Sequence, residues 1–206
     1  MNFLAHTYLS GCNEEIIVGN FMGDYVKGRG YELFPDQVRK GILIHRDIDS
    51  FTDMHQITRN SKLRLASRYH KYAGIVTDIF YDHFLASLWD NYSDLPLSEF
   101  VKRSYDILKR NYKVLPDAIK RWFPTFLENN WMMAYSRVDG IELVLERMAA
   151  NTSLPDHSAF AVEVLRDQYA LFMDDFLRFF PLIVEFLENK YEIEITASRM
   201  AYPYHS

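Results

Sequence analysis

The chain has 206 residues, of which 49% are hydrophobic and 16% aromatic, and its formal net charge is −5 at pH 7. This length and composition suit one folded domain with a sizeable core and exclude an intrinsically disordered chain. The acidic balance argues against a broad nucleic-acid-binding surface, which requires concentrated basic charge.

The sequence predicts a cytoplasmic protein that does not associate with a membrane. Cys12 is the single cysteine, so an internal disulfide is excluded and a reducing compartment is expected. Residues 1–6 lack the basic region and apolar run of a signal peptide. Apolar runs also fall short of the roughly 20 residues that are needed to cross a bilayer.

Helical periodicity dominates the first half of the chain. The pattern predicts four consecutive helices, over residues 14–27, 36–53, 56–71 and 73–91, with short joints between them. Pro35 is predicted to lie in the first turn of the second helix, because a proline there sacrifices no intrahelical hydrogen bond.

Helices also dominate the second half. One is predicted after Pro96, and another is predicted to open at Pro116 and to end or break at Pro124. Residues 138–149 predict a further helix. A long C-terminal helix is predicted from about Asp156, with a bend or break near Pro181.

Strand signals are weak. The sequence has no sustained period-two alternation and neither an Asn-Gly nor an Asp-Gly hairpin turn. We therefore predict a single all-α domain over residues 1–206, with its metal-site residues within the first 90.

The segment 74–86 is apolar nearly all round and is predicted to be a buried central helix. Asp78 and Asp82 are four residues apart and share one face, and His83 lies about 100° further round the helix. Burying two carboxylates is costly unless cations or hydrogen bonds compensate. A divalent metal ion is one such compensation.

A second polar stripe runs along the predicted helix over residues 36–53. His45, Asp49 and Asp53 recur on one face with Ile42, and Arg46 shares part of that face. A guanidinium beside carboxylates and an imidazole suits the recognition of phosphate oxygens.

A third segment, residues 19–28, places Asp24 one helical turn after Asn20. Gly19 and Gly23 are also four apart and would let another backbone approach closely. The segment lacks the glycine spacing of a nucleotide-phosphate loop. His6, after a short apolar start, is a further candidate for the same site.

The pooled ligands are nitrogen and oxygen donors without thiolates, which suits Mn²⁺, Fe²⁺, Zn²⁺ or Mg²⁺ and argues against a structural zinc site. A divalent ion can activate water near neutral pH and polarise a phosphoryl oxygen, so hydrolysis of a phosphate ester is the expected reaction. The candidates are His6, Asp24, His45, Asp49, Asp53, Asp78, Asp82 and His83.

Structural alternatives exist for single members of this set. Asp49 or Asp53 could pair with Arg46 or with a lysine of another helix, since structural ion pairs mimic sites. His83 could be a core histidine that donates to a backbone carbonyl.

Four blocks of the sequence resemble the acyl carrier protein phosphodiesterase family, a divergent relative of the HD-domain metal phosphohydrolases. They agree in order and spacing over about the first 90 residues. The blocks are Met1-Asn2-Phe3-Leu4-Ala5-His6, Gly19-Asn20-x-x-x-Asp24-Tyr25-Val26-Lys27-Gly28, Gly41-Ile42-x-x-His45-Arg46-x-Ile48-Asp49-x-x-Thr52-Asp53 and Asp78-x-x-x-Asp82-His83-Phe84-Leu85.

The resemblance implies an HD-domain-like helical bundle that hydrolyses holo acyl carrier protein to the apo carrier and 4′-phosphopantetheine, with Mn²⁺ as the expected ion. It implies that Arg46 holds phosphate oxygens and that Asp49 and Asp53 orient the metal ligands. The residues that it implies as metal ligands or as residues that position the catalytic water are Asp24, His45, Asp78 and Asp82, followed by His6 and His83.

The implied partner is a small acidic protein, so basic residues gain a candidate role. We expect a carrier-docking face formed by Lys27, Arg29, Arg59, Lys62, Arg64 and Arg68. Two alternative functions remain open at this point: a metal phosphohydrolase for a nucleotide or other small phosphodiester, and a non-catalytic helical module that binds carrier proteins. The sequence sets no oligomeric state.

Overall fold

A computed structural model describes residues 1–195 of the chain. This part contains eleven α-helices, five short 3₁₀ helices and no β-strand, which confirms the predicted all-α domain. The α-helices are α1 (Phe3–Tyr8), α2 (Glu14–Phe21), α3 (Asp36–Met54), α4 (Gln56–Tyr69), α5 (Ala73–Ser87), α6 (Leu97–Arg110), α7 (Asp117–Glu128), α8 (Trp131–Ala134), α9 (Val138–Asn151), α10 (Ser158–Asp167) and α11 (Tyr169–Tyr191).

Most predicted helix positions are confirmed, with corrections at the ends. The first predicted helix stops at Phe21, because the chain turns through a 3₁₀ helix over Gly23–Tyr25 instead of continuing to residue 27. Pro35 is the N-cap of α3 and not a first-turn residue. Pro96 and Pro116 take the same position before α6 and α7.

The two internal prolines do not end their helices. Pro124 lies within α7 and Pro181 within α11, so the predicted end at Pro124 is wrong, as is the break, one of the two alternatives predicted at Pro181. A proline in a helix interior removes one hydrogen bond and crowds the preceding turn. Buried aromatic side chains beside each proline, including Phe123, Phe126 and Phe180, supply packing that offsets this loss. The chain breaks instead at Gln168, between α10 and α11.

The closest helix crossing joins α2 to α3. A Cβ atom on Gly19 would lie 2.0 Å from the carbonyl oxygen of Val38, and one on Gly41 would lie 2.2 Å from the carbonyl oxygen of Ile16. The two backbones therefore touch where neither helix carries a side chain, as the sequence predicts for Gly19. This contact sets the positions of Asn20 on α2 and His45 on α3.

Helix α1 is short and is held in place by α5. The Asp82 carboxylate, fully buried, accepts hydrogen bonds from the backbone N–H groups of Asn2 (2.9 Å), Leu4 (2.8 Å) and Ala5 (3.3 Å). A helix of six residues is too short to be stable alone, and its first N–H groups need acceptors. Asp82 supplies those acceptors and so fixes the helix that carries His6.

The C-terminal helix, α11, packs against α4 and α5. Asp175 of α11 is buried and accepts hydrogen bonds from Ser61 (2.8 Å) and Arg64 (2.5 Å) of α4. Ser61 also lies 3.0 Å from the hydroxyl of Tyr81 on α5. This polar network links three helices within an otherwise apolar and aromatic core.

Within residues 1–195, the helices all lack the combination of length and apolar character that crossing a bilayer requires.

We expect Gly41→Ala to lower the free energy of unfolding by about 1–3 kcal/mol, because the new methyl group would collide with backbone atoms that no rotamer change can move. Gly30→Ala is the matched control, since its Cβ would meet the nearest side-chain atom at 3.5 Å, an ordinary contact. Urea unfolding followed by circular dichroism measures both variants. Equal stability of the two would contradict a tight α2–α3 crossing.

We expect Asp82→Ala to cost about 1–3 kcal/mol, because it leaves the first N–H groups of α1 buried without acceptors. Asp94→Ala, on the exposed surface, is the control and should stay within about 0.5 kcal/mol of the parent. Thermal and urea unfolding measure both. A loss no larger than that of the control would show that Asp82 does not anchor α1.

Candidate functional site

A pocket of about 490 Å³ opens between α1, the α2–α3 pair and α5. Polar side chains form one part of its lining, the polar wall, and apolar and aromatic side chains form another part, the aromatic wall. The pocket is lined by Met1, Asn2, Phe3, His6, Asn20, Phe21, Asp24, Tyr25, His45, Asp49, Thr52, Asp53, Lys71, Gly74, Ile75, Asp78 and Met148.

Two histidines and a carboxylate meet in the polar wall. His6 and His45 are both buried, and their ring centroids lie 4.3 Å apart. Nε2 of His6 lies 3.3 Å from Oδ1 of Asp49, and Nε2 of His45 lies 3.2 Å from Oδ2 of the same residue. One potential ligand atom from each residue falls within 4.8 Å of the others.

Asn20 holds both imidazole rings from behind. Its Nδ2 donates to the carbonyl oxygen of His6 (2.9 Å) and to Oγ of Ser10 (2.8 Å). A carbonyl only accepts, so the amide orientation is fixed and Oδ1 faces the rings. Nδ1 of His6 (2.8 Å) and Nδ1 of His45 (3.2 Å) both donate to it. In its neutral form each ring therefore carries its free lone pair on Nε2, toward Asp49.

Gly23 and Asp24 complete this wall. A Cβ on Gly23 would lie 2.3 Å from Cγ of His45, so the glycine makes room for the imidazole and not, as the sequence predicted, for another backbone. Oδ1 of Asp24 lies 3.4 Å from Nε2 of His45, and its side chain is 72% exposed. Asp24 is therefore a rim residue in reach of the buried cluster.

The carboxylates control the charge of the histidines. Burial opposes protonation of His45, but attraction to Asp24 and Asp49 outweighs it and raises the pKa of His45 to about 9. Burial likewise disfavours the charged Asp49, yet His45 and His6 hold its pKa well below the ordinary value. Burial, followed by repulsion from His45, lowers the pKa of His6. The cluster thus favours one positive charge between the carboxylates.

The donor set fits a divalent metal ion. Nε2 of His45 is buried, and neither of its contacts with Asp24 and Asp49 has the geometry of a hydrogen bond. A buried nitrogen without a hydrogen-bond partner is costly, and a cation between it and the carboxylates would satisfy it. Imidazole and carboxylate ligands without thiolates suit Mn²⁺, Fe²⁺ or Zn²⁺.

Phe21 and Tyr25 belong to the aromatic wall, and Trp122 packs behind them. The Trp122 ring packs 5.9 Å from Phe21 and 6.2 Å from Tyr25, and its Nε1–H donates to the Tyr25 hydroxyl at 3.0 Å. That hydrogen bond leaves the phenolic proton of Tyr25 free to be donated elsewhere. Burial raises the pKa of Tyr25, so the hydroxyl stays protonated at neutral pH.

The two predicted carboxylates of α5 have protein partners. Asp78 lines the pocket, and its Oδ1 lies 2.7 Å from the amino group of Met1. Asp82 is committed to the N–H groups of α1 and does not line the pocket. The prediction that Asp82 is a metal ligand is corrected: its role is to position α1. Burial raises the pKa of Asp78 to about 6 and that of Asp82 to about 7.

The structure does not bring His83 into the cluster. Its Nδ1 lies 2.7 Å from the carbonyl oxygen of Tyr135, and its Nε2 lies 3.0 Å from the Tyr169 hydroxyl. Burial lowers the pKa of His83, which keeps the ring neutral. Both ring nitrogens are engaged, so the predicted metal ligand is a core histidine, the structural alternative raised by the sequence.

Arg46 and Asp53 also differ from their predicted roles. Nη2 of Arg46 donates to the carbonyl oxygens of Val26 (2.7 Å) and Gly28 (2.8 Å), so the arginine fastens the segment after α2 and does not line the pocket. Asp53 lines the pocket but pairs with Lys62 at 2.6 Å instead of orienting a metal ligand.

The six predicted docking residues separate into three groups. Arg59 and Lys62 line a groove that adjoins the pocket. Arg64 forms an ion pair with the buried Asp175, so it does not belong to an exposed docking face. Arg29 is exposed and forms an ion pair with Glu32 at 2.6 Å. Lys27 is exposed beyond α2, and Arg68 lines a separate hollow beside His157.

Asn20, Thr52 and Lys71 are, together with Tyr25, among the pocket residues that the sequence analysis missed. Asn20 holds both histidines, Thr52 is buried in the polar wall, and Lys71 brings the one lysine or arginine side chain that lines the pocket in the part of the chain described. Asn20 had a detectable signal, since it falls between two glycines four apart and one turn before Asp24. Thr52 lies seven residues after His45, on the same helix face.

Comparisons with known proteins agree with one another. The acyl carrier protein phosphodiesterase family model matches residues 1–183. A protein of Klebsiella pneumoniae (strain 342) named acyl carrier protein phosphodiesterase is 31% identical over 194 residues, which covers 92% of this chain and 99% of the relative. The Escherichia coli O157:H7 (strain EC4115 / EHEC) protein of the same name is 33% identical over 185 residues, covering 88% of this chain and 94% of the relative. No solved structure matches the chain.

Replacing Asn20 should weaken metal binding through the orientation of the two histidines. We expect Asn20→Ala to lower the affinity for Mn²⁺ or Zn²⁺ about 10–100-fold, the usual cost of losing a group that orients metal ligands. Titration calorimetry measures the affinity, and ¹⁵N chemical shifts of the imidazoles report whether Nδ1 keeps its proton. Asn129→Ala, at an exposed asparagine, is the control. Unchanged affinity and unchanged tautomers would contradict the role of Asn20.

Proposed function

The chain belongs to the acyl carrier protein phosphodiesterase family, and we propose that it hydrolyses holo acyl carrier protein at the cluster of His6, His45 and Asp49. Water adds to phosphorus and the bond from phosphorus to the carrier's serine oxygen breaks. The serine oxygen takes up a proton, and the products are the apo carrier and 4′-phosphopantetheine.

One observation carries the proposal: two buried imidazoles and a carboxylate converge at the polar wall of the pocket, with Nε2 of His45 lacking a hydrogen-bond partner. The buried histidine His83, which lies outside the pocket, has a hydrogen-bond partner at each ring nitrogen. Neutral core packing would not leave His45 facing two carboxylates in an open pocket, so the cluster is suited to bind a cation.

His6, His45 and Asp49 would hold a divalent ion, with Asp24 as a further ligand from the rim. Mn²⁺ is our preferred ion, ahead of Fe²⁺, Zn²⁺ and Mg²⁺. When bound, the ion would activate a water molecule near neutral pH and polarise a phosphoryl oxygen. Asn20 keeps both Nε2 atoms directed at the site, and Gly23 leaves the space that the His45 ring needs.

Lys71 and Tyr25 are suited to bind the phosphodiester itself. Arg46 is occupied by backbone carbonyls, so Lys71 is the lysine that can offset the charge of a phosphate oxygen in this pocket. Tyr25 remains protonated, and because it accepts from Trp122, its own proton is available to a phosphate oxygen. The aromatic wall would exclude water from one side of the reacting group.

Asp24 is suited to orient the attacking water. The close contact with His45, whose Nε2 lies 3.4 Å away, is the main cause that lowers the pKa of Asp24, so the carboxylate is ionised at neutral pH. The side chain is largely exposed at the rim and can accept a hydrogen bond from a water molecule beside the cluster. We also propose that the reaction takes place in the cytoplasm, where an acyl carrier protein would be encountered.

Mass spectrometry of holo acyl carrier protein after incubation with this protein and Mn²⁺ tests the proposal. We expect the carrier to lose the mass of 4′-phosphopantetheine and a chelator to abolish the loss. His45→Ala should lower kcat/KM at least about 100-fold, because it removes a proposed metal ligand itself, whereas Asn20→Ala removes only a residue that orients such ligands. His157→Ala, at a histidine that does not line the pocket, should behave like the parent.

A carrier of unchanged mass with every divalent metal ion tried would refute carrier hydrolysis. Cleavage of bis(p-nitrophenyl) phosphate in that case would favour a hydrolase of small phosphodiesters. Absence of both activities and of bound metal would favour a non-catalytic carrier-binding module.

A further inference from the structure

We propose that a groove between α4 and the start of α5, the cationic groove, docks an acidic segment of the carrier protein and so places its phosphodiester over the cluster. The proposal rests on the proposed function, because the occupant is the carrier substrate itself. The groove is lined by Asp53, Arg59, Lys62, Leu63, Ala66, His70, Lys71, Ala73 and Gly74.

The groove is positively charged in a protein whose formal net charge is −5. It holds three cationic side chains, Arg59, Lys62 and Lys71, against the single carboxylate of Asp53. Lys62 neutralises Asp53 through an ion pair at 2.6 Å, which leaves the charges of Arg59 and Lys71 in surplus. Local positive charge on an otherwise acidic surface attracts an acidic partner and orients it toward that site, while the negative remainder of the surface repels it.

The groove is continuous with the pocket. Asp53, Lys71 and Gly74 line both of them. Lys71 therefore stands at the junction, with surplus charge that faces the cluster on one side and the groove on the other. A protein bound in the groove could extend a side-chain-linked phosphodiester into the pocket without crossing another helix.

The groove also presents an apolar contact. Leu63 is 67% exposed, although it lies on α4 among the cationic side chains of the groove. Ala66, one turn further along, is small and keeps the floor shallow. A single exposed leucine is common on protein surfaces. An exposed leucine that shares a groove with three cationic side chains, in contrast, is complementary to an acidic segment that also carries an apolar side chain.

His70 supports a binding role for the groove. Its backbone has φ 46° and ψ −121°, a conformation that glycine adopts readily and other residues adopt at a cost. The residue ends α4 and turns the chain into α5, where glycine would be less strained. His70 lines the groove, where its imidazole is available for a contact with the partner.

Charge reversal at Arg59 tests the docking surface. We expect Arg59→Glu to raise KM for holo acyl carrier protein about tenfold and to reduce its dependence on salt concentration, while Mn²⁺ affinity by calorimetry is retained. Lys113→Glu is the matched control, because it makes the same charge change at an exposed lysine outside the groove and the pocket. Its KM should equal that of the parent.

Replacement of His70 tests the same surface through stability. His70→Gly should raise Tm by about 2–4 °C through relief of strain and should also raise KM for the carrier. Asn130→Gly is the control, because Asn130 also has a positive φ (47°) but lines a different pocket and not the groove. This variant should leave KM unchanged.

These outcomes separate the two proposals. A parent protein that leaves the carrier intact would refute the proposed function. A parent that cleaves the carrier, with KM unchanged in both Arg59→Glu and His70→Gly, would refute docking in the cationic groove and leave the proposed function standing.

Discussion

The contact between the backbones of α2 and α3 is the constraint on which the candidate site depends. Gly19 and Gly41 allow the two helices to touch, and no larger residue fits at either position without moving carbonyl groups. One residue after Gly19 lies Asn20, and one turn after Gly41 lies His45. The close crossing therefore turns two ordinary helix positions into a hydrogen-bonded pair, whose oxygen and ring nitrogen are 3.2 Å apart. His6 joins them only because Asp82 anchors α1 against the same pair of helices.

Buried polar groups in this protein divide by what satisfies them. Asp82 is satisfied by backbone N–H groups, His83 by a carbonyl and a hydroxyl, and Asp175 by Ser61 and Arg64. These three hold helices together. His45 differs because its outward nitrogen lacks a hydrogen-bond partner and faces two carboxylates. Burial of a polar side chain alone therefore does not identify a candidate metal site. A buried potential ligand atom that lines a pocket and has no hydrogen-bond partner does identify one.

The sequence predicted the local features of the fold well and its tertiary features less well. Helices α3 and α4 begin and end within two residues of their predicted limits, because prolines, caps and apolar spacing are local signals. Helix α1 was missed because its stability comes from Asp82, about 80 positions away. A bend or break was predicted at Pro181 because the sequence shows the proline, which destabilises a helix interior. The sequence does not show the aromatic packing that offsets this destabilisation.

The candidate site shows the same limit. The sequence brought together the residue types for a metal site, and His6, Asp24, His45 and Asp49 do converge. It could not separate them from His83, because the partners of His83 lie on segments beyond residue 130. Asn20 was overlooked because an amide is a poor metal ligand by type, and only the orientation of its neighbours reveals its role.

The division of charge along α4 explains how recognition and chemistry can share a boundary without interfering. Arg64 faces the core, where Asp175 neutralises it, and Arg59 and Lys62 face the groove from the same helix. Lys62 in turn neutralises Asp53, the carboxylate that lines both the groove and the pocket. The negative charge that would repel an acidic partner is thereby reduced in the groove, while Asp24 and Asp49 lie beside His45 in the pocket. Lys71 then carries surplus positive charge at the point where a docked phosphodiester would pass from the groove into the pocket.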